Sequence, residues 1–170
     1  MDTSAPTRQA LALGRRLDAI AATYAPVSMR VNYLVAAETL RSDALSGSVT
    51  DEVMAERAGA VRVEIQRMRP LVARARAKVA VGIVVTPVER RVRDELITAL
   101  DQRTRALVLL ERVLDSQADP RVGDSQRAFE TTAWLDAWGR SIAAARAATT
   151  AAQDLRGTAG LDPAPEEALR

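Results

Sequence analysis

Chemistry in this chain would fall to carboxylates, guanidinium groups and hydroxyls, because its 170 residues include no histidine and no cysteine. That removes disulfides, thiol chemistry, Ser-His and Cys-His dyads, and the usual zinc ligand sets. A ferritin-like carboxylate site needs Glu-x-x-His on facing helices, which this composition forbids. The acidic pairs Asp51-Glu52 and Asp94-Glu95 do not fill the gap. Neighbours on a helix diverge by about 100°, so they cannot chelate together. Asp51 and Glu52 suit a helix N-terminus, whereas Asp94 and Glu95 would stand level with Lys78 and Arg76 across an antiparallel pair of helices. No catalytic residue, cofactor or metal is assigned, and the chain reads as a non-enzyme.

Two charged residues fall in apolar register. Glu38 lies midway between Val31 and Leu45, and Arg103 midway between Leu96 and Leu110, all at heptad spacing. Charge buried without a partner is costly, so each needs a counter-group or water. Arg57 should lie level with Glu38 across the first turn, and a Glu38–Arg57 pair is expected. Glu38, Arg57 and Arg103 could form a polar pocket for a small ligand. The preferred reading makes them contacts that fix helix register.

Charge is segregated along the chain. From Arg57 to Arg93 there are ten basic residues against two acidic ones, Glu64 and Glu89, while the whole chain is only +2. Arg62, Arg67, Arg69, Arg74, Arg76, Lys78, Arg90, Arg91 and Arg93 are therefore a candidate surface for an anionic partner: nucleic acid, phospholipid or acidic protein. Against this, Arg62, Arg69 and Arg76 border an apolar stripe, where arginines lie along the core edge and pair with neighbours. The segment also has no aromatic residue on which bases could stack, so nucleic acid is not favoured.

Trp134 and Trp138 are one helical turn apart and anchor a stripe with Leu135, Ile142 and Ala145. The opposite side carries Phe129, Ala133, Ala137, Arg140, Ala144, Ala147, Ala148 and Ala151. It has little charge for a solvent face, and its small residues at four-residue spacing would let another helix approach closely. This is the expected partner face, most simply for a second copy in a symmetric homo-oligomer.

The elements behind these residues are helical. Hydrophobic residues make up 48% of the chain but aromatics only 3%, so alanine, valine and leucine carry the apolar content. Apolar residues recur at helical spacing over about 4–45, 50–85, 87–117 and 125–156. The first stripe, through Leu17, Tyr24 and Val31, crosses Pro26 in phase, which predicts one long, Pro-kinked helix. Thr86-Pro87-Val88-Glu89 has the form of a capping box with proline in the first helical position. Val79 to Val85 has the composition of a strand but no second strand to pair with, and is read as the end of the second helix. Short connections predict an all-α, up-down-up-down four-helix bundle of coiled-coil type over 1–157, followed by a Pro-rich, acidic, flexible tail over 158–170.

The N-terminus does not read as a signal peptide, and the apolar run Val79–Val85 is far short of the ~20 residues that span a bilayer. A soluble, cytoplasmic protein is expected. Its function is read as that of a helical interaction or assembly protein: an adaptor, a chaperone-like partner or a subunit of a larger complex. The alternatives are a ligand-sensing bundle with a polar pocket, or binding of nucleic acid or an anionic surface through residues 57–93.

Overall fold

A computed structural model describes residues 7–44 and 51–161, with side chains over most of that span apart from 32–44, 51–55, Arg57 and a few others in the first helix. Four helices pack together, and no strand occurs among the described residues: α1 (Arg8–Ala44), α2 (Asp51–Ala80), α3 (Pro87–Ala118) and α4 (Asp124–Thr158). None is long and apolar enough to cross a membrane. Pro26 lies inside α1 and Pro70 inside α2, and both are exposed.

The core follows from the stripes. Leu17, Tyr24 and Val31 of α1, Val61, Ile65, Met68, Val72 and Val79 of α2, and Val92, Leu96, Leu100, Leu107, Leu110 and Leu114 of α3 form one cluster with the inner side of α4. The central element is α3, which packs most extensively on α4 and then on α2, while α1 packs chiefly on α2. The outer edge of the α2–α3 contact is laced by ion pairs whose partners run in opposite order. Arg62 pairs with Asp115 at 2.6 Å, Arg69 with Glu111 at 3.4 Å, and Arg76 with Asp101 at 2.5 Å. The two helices are therefore antiparallel.

Their register differs from the one expected, which set Arg76 against Glu95 and Lys78 against Asp94. The cause lies in the connection. Helix α2 stops at Ala80 rather than Val85, and residues 81–86 are non-helical. With Arg76 level with Asp101, Ala80 stands level with residues near 97, and the chain must still climb to Pro87. That is about ten helical residues, or ~15 Å at 1.5 Å each. An extended chain covers that distance in about five residues at ~3.3 Å each. The six-residue link is therefore a strap beside the first turns of α3.

At its far end, α4 runs slightly past the expected Arg156 and Gly157. Gly160, at φ +66, turns the chain out of the helix. The Leu161 amide donates to the Arg156 carbonyl at 3.0 Å, and the Gly160 amide to that of Gly157 at 3.1 Å, a Schellman closure. Arg156 also pairs with Asp18 of α1 at 2.7 Å. A Cβ on Gly14 would lie 3.2 Å from Leu161 Cδ1, so Leu161 rests on α1.

Helix α4 corrects the expected partner face. Ala137, Ala144 and Ala148 are buried in the core, together with Trp134, Ser141, Ala145 and Ala152. Trp138 and Ile142 are only half-buried, and Leu135 is exposed. The inward face is thus rotated by part of one residue step from the stripe drawn through the large side chains. The physical reason is side-chain size: the α3–α4 contact is the most extensive among the described residues, and alanines let the two backbones approach, with Trp134 buried among them and Trp138 half-buried at the edge. Of the remaining members, Ala133, Ala147 and Ala151 are half-buried, and Arg140 is exposed but paired with Asp136 at 2.8 Å. Only Phe129, 73% exposed, stands clear.

Candidate functional site

Three polar features and one apolar feature compete for a functional role. The first is Arg103, only 1% exposed despite its charge. Its guanidinium donates a hydrogen bond to the Tyr24 hydroxyl, lies 4.9 Å from the Tyr24 ring centre, and lies 5.8 Å from that of Trp138. Burial pushes its pKa down to about 10, so it remains cationic at neutral pH. Heptad register on α3 sets its position, between Leu96 and Leu110. Its surroundings are ring faces and a phenol from α1 and α4, so it ties three helices together. Glu38 and Arg57, the other members of the expected pocket and of the expected ion pair, have side chains outside the described residues.

The second feature is Glu89, also 1% exposed. Thr86 caps α3 by accepting from the Glu89 amide at 3.1 Å, and the Glu89 carboxylate accepts from the amides of Thr86 at 2.6 Å and Val85 at 2.9 Å. The capping box read from sequence is thus complete, with Pro87 in the first turn. Its carboxylate does more than cap, because it also accepts from Arg16 of α1 at 2.6 Å. Burial alone would push the Glu89 pKa up. The Arg16 hydrogen bond and the Thr86 and Val85 amides outweigh it and hold the pKa below the ordinary value.

The third feature is the basic surface, which pairing divides in two. Arg62, Arg69 and Arg76 engage α3, Arg67 engages Glu64 at 2.8 Å, and Arg93 engages Asp94 at 3.0 Å. Arg74, Lys78, Arg90 and Arg91 are exposed and make no ion pair among the described residues. Arg90 and Arg91 line an open cleft of about 330 Å³ with Pro87, Asp94, Glu95 and Thr98.

The apolar feature was missed from sequence. On the strap, Val81, Ile83 and Val85 are 81%, 74% and 67% exposed, and Val88 follows at the start of α3. Gly82 and Val84, at the intervening positions, are half-buried. Val81 and Gly82 close the last turn of α2, their amides donating to the carbonyls of Ala77 and Val79 at 3.3 and 3.1 Å, and from Ile83 to Val85 the two-residue alternation is that of an extended segment lying on a surface. The available signal was the dense run of β-branched residues, which favour extended chain. An exposed aliphatic row thus lies in the sequence between Lys78 and Arg90, which make no ion pair among the described residues. Comparisons with profiles of protein families, with curated proteins and with solved structures found no match.

Proposed function

We propose that this chain is a non-enzymatic interaction protein, serving as an adaptor, a chaperone-like partner or a subunit of a larger assembly, and that the α2–α3 strap is its docking surface. The observation that carries this reading is the exposed row Val81, Ile83 and Val85, the most exposed large aliphatic residues among those described; Leu11, Val63, Val88 and Leu135 are exposed to a lesser degree. Large apolar side chains grouped on a surface mark interaction sites far more often than scattered ones do. The buried polar groups support the same reading, because they are engaged in structure: Glu89 in capping and the Arg16 bridge, Arg103 in the contact with Tyr24.

The scaffold is read as an up-down-up-down bundle with α1 bent at Pro26. The antiparallel order of the α2–α3 pairs supports that path, as do the Arg16–Glu89 and Arg156–Asp18 links. Site-specific crosslinking tests the docking surface, and the absence of native cysteine makes it clean. A photoreactive group on Ile83→Cys should be captured by its partner, protein or lipid, in cells producing the protein, whereas the same group on Gln153→Cys, exposed on α4, should not. Equal labelling from both positions would refute the assignment.

A further inference from the structure

Resting on the strap as a docking surface, we infer that its partner is an anionic lipid surface. Val81, Ile83 and Val85 would enter the headgroup boundary, with Lys78, Arg90 and Arg91 held against lipid phosphates and carboxylates. Charge complementarity selects the class of partner, because these cations flank the aliphatic row and have no ion pair among the described residues. The nearby carboxylates do not cancel them. Glu89 is buried against Arg16 and backbone amides and Asp94 is held by Arg93, and although Asp94 and Glu95 line the cleft with Arg90 and Arg91, neither forms an ion pair with them.

The apolar half of the site separates lipid from other anions. Single-stranded nucleic acid is held by aromatic stacking, and this segment has no aromatic residue. A second copy would set the same cations against one another, and like-charge juxtaposition across an interface is strongly unfavourable. Protein hot spots are built on tryptophan, tyrosine and arginine seated in pockets. Here the apolar residues are valine and isoleucine standing out from an extended strap, which a fluid bilayer accepts without shape complementarity.

The test is co-sedimentation of the full chain with vesicles of equimolar phosphatidylcholine and phosphatidylserine, against vesicles of phosphatidylcholine alone. Binding is expected to the mixed vesicles only and to weaken as salt rises. Each cation changed to glutamine at Lys78, Arg90 or Arg91 should lower partitioning about fivefold. Changing Val81, Ile83 and Val85 together to serine should abolish it with the thermal midpoint retained. A polarity-sensitive dye on Ile83→Cys should shift to the blue with mixed vesicles, and one on Gln153→Cys should not. Absence of binding to mixed vesicles, or equal binding by the serine variant, would overturn the lipid assignment. Retention of a polyglutamate chain but not of vesicles, lost in the glutamine variants, would also overturn it and yet keep the strap as a docking surface. Failure of both probes together with failure of the crosslink would remove the docking surface as well.

Discussion

Removing the Glu89 carboxylate should cost far more than removing a helix cap. In Glu89→Ala the side-chain half of the capping box goes, the bonds from the Thr86 and Val85 amides, worth about 1 kcal/mol, while Thr86 still accepts from the backbone amide at position 89. The charge-assisted hydrogen bond from Arg16 goes with it, worth about 1.5–3 kcal/mol. Stranding a fully buried partner would cost about 3–5 kcal/mol, but Arg16 is 26% exposed and can rehydrate. The expected loss is therefore about 2–4 kcal/mol, or roughly 5–15 °C in Tm for a chain of this length. Glu89→Gln keeps an oxygen for the Thr86 and Val85 amides and should lose about 1–2 kcal/mol. The pH dependence follows from the direction of the pKa shift. Because the folded carboxyl lies below its ordinary value of 4.5, its contribution is complete above that value and is lost as pH falls through the depressed one. The stability gap between the wild type and Glu89→Gln should be flat from neutral pH down to about 5, then close as the solution is acidified further. Urea titrations followed by circular dichroism across that range give the gap directly, since carboxylates common to both proteins cancel. A gap independent of pH, or a Glu89→Ala loss no greater than that of Thr86→Ala, would refute the bridging role.

Other substitutions probe the core. Arg103→Ala should destabilise by about 3–5 kcal/mol in urea titrations, and Tyr24→Phe by about 1–3 kcal/mol, because each removes the buried hydrogen bond between Arg103 and Tyr24. Ala148→Glu should cost more than about 3 kcal/mol and lose helical signal, whereas Ala147→Glu, half-buried, should stay within about 1 kcal/mol. Phe129→Ser should change stability by no more than about 0.5 kcal/mol, since its ring is already in solvent.

How much of this was legible depended on how sharply each helix concentrates its apolar residues. In α3 they form a narrow leucine and valine stripe on a charged cylinder, and every residue assigned to it is buried. Its start was equally clear, because a capping box is a local pattern. Helix α4 spreads its apolarity nearly evenly around the axis, so no side stands out. Trp138, Leu135 and Ile142 then drew the stripe toward themselves, although alanines hold most of the buried positions beside Trp134. The Arg16–Glu89 bridge had no local signal at all, as it joins residues 73 positions apart. The strap fell between two criteria. Its β-branched run has the composition of a strand, but for want of a partner strand the sequence reading assigns it to a helix. Lack of a partner argues against a sheet and not against an extended chain.

The same distinction explains why the basic segment could not be interpreted by counting charges. Arg62, Arg69 and Arg76 recur at heptad spacing, so they share one edge of α2, and each meets a carboxylate of α3. Arg74 and Lys78 lie off that edge, and Arg90 and Arg91 follow the strap where α2 no longer faces α3. The excess charge is thus neutralised along the paired edge of α2 and left over off that edge and beyond the end of the helix. That end is also where α2 has stopped and its aliphatic residues have lost the surface that would have covered them. The exposed valines and the exposed Arg90 and Arg91 thus follow the end of α2 at Ala80, whereas Arg74 and Lys78 lie within α2, off its paired edge. Restoring helix across the strap, for example with Gly82→Ala and Val81, Ile83 and Val85 changed to alanine, should move the α2–α3 register and the exposed row together.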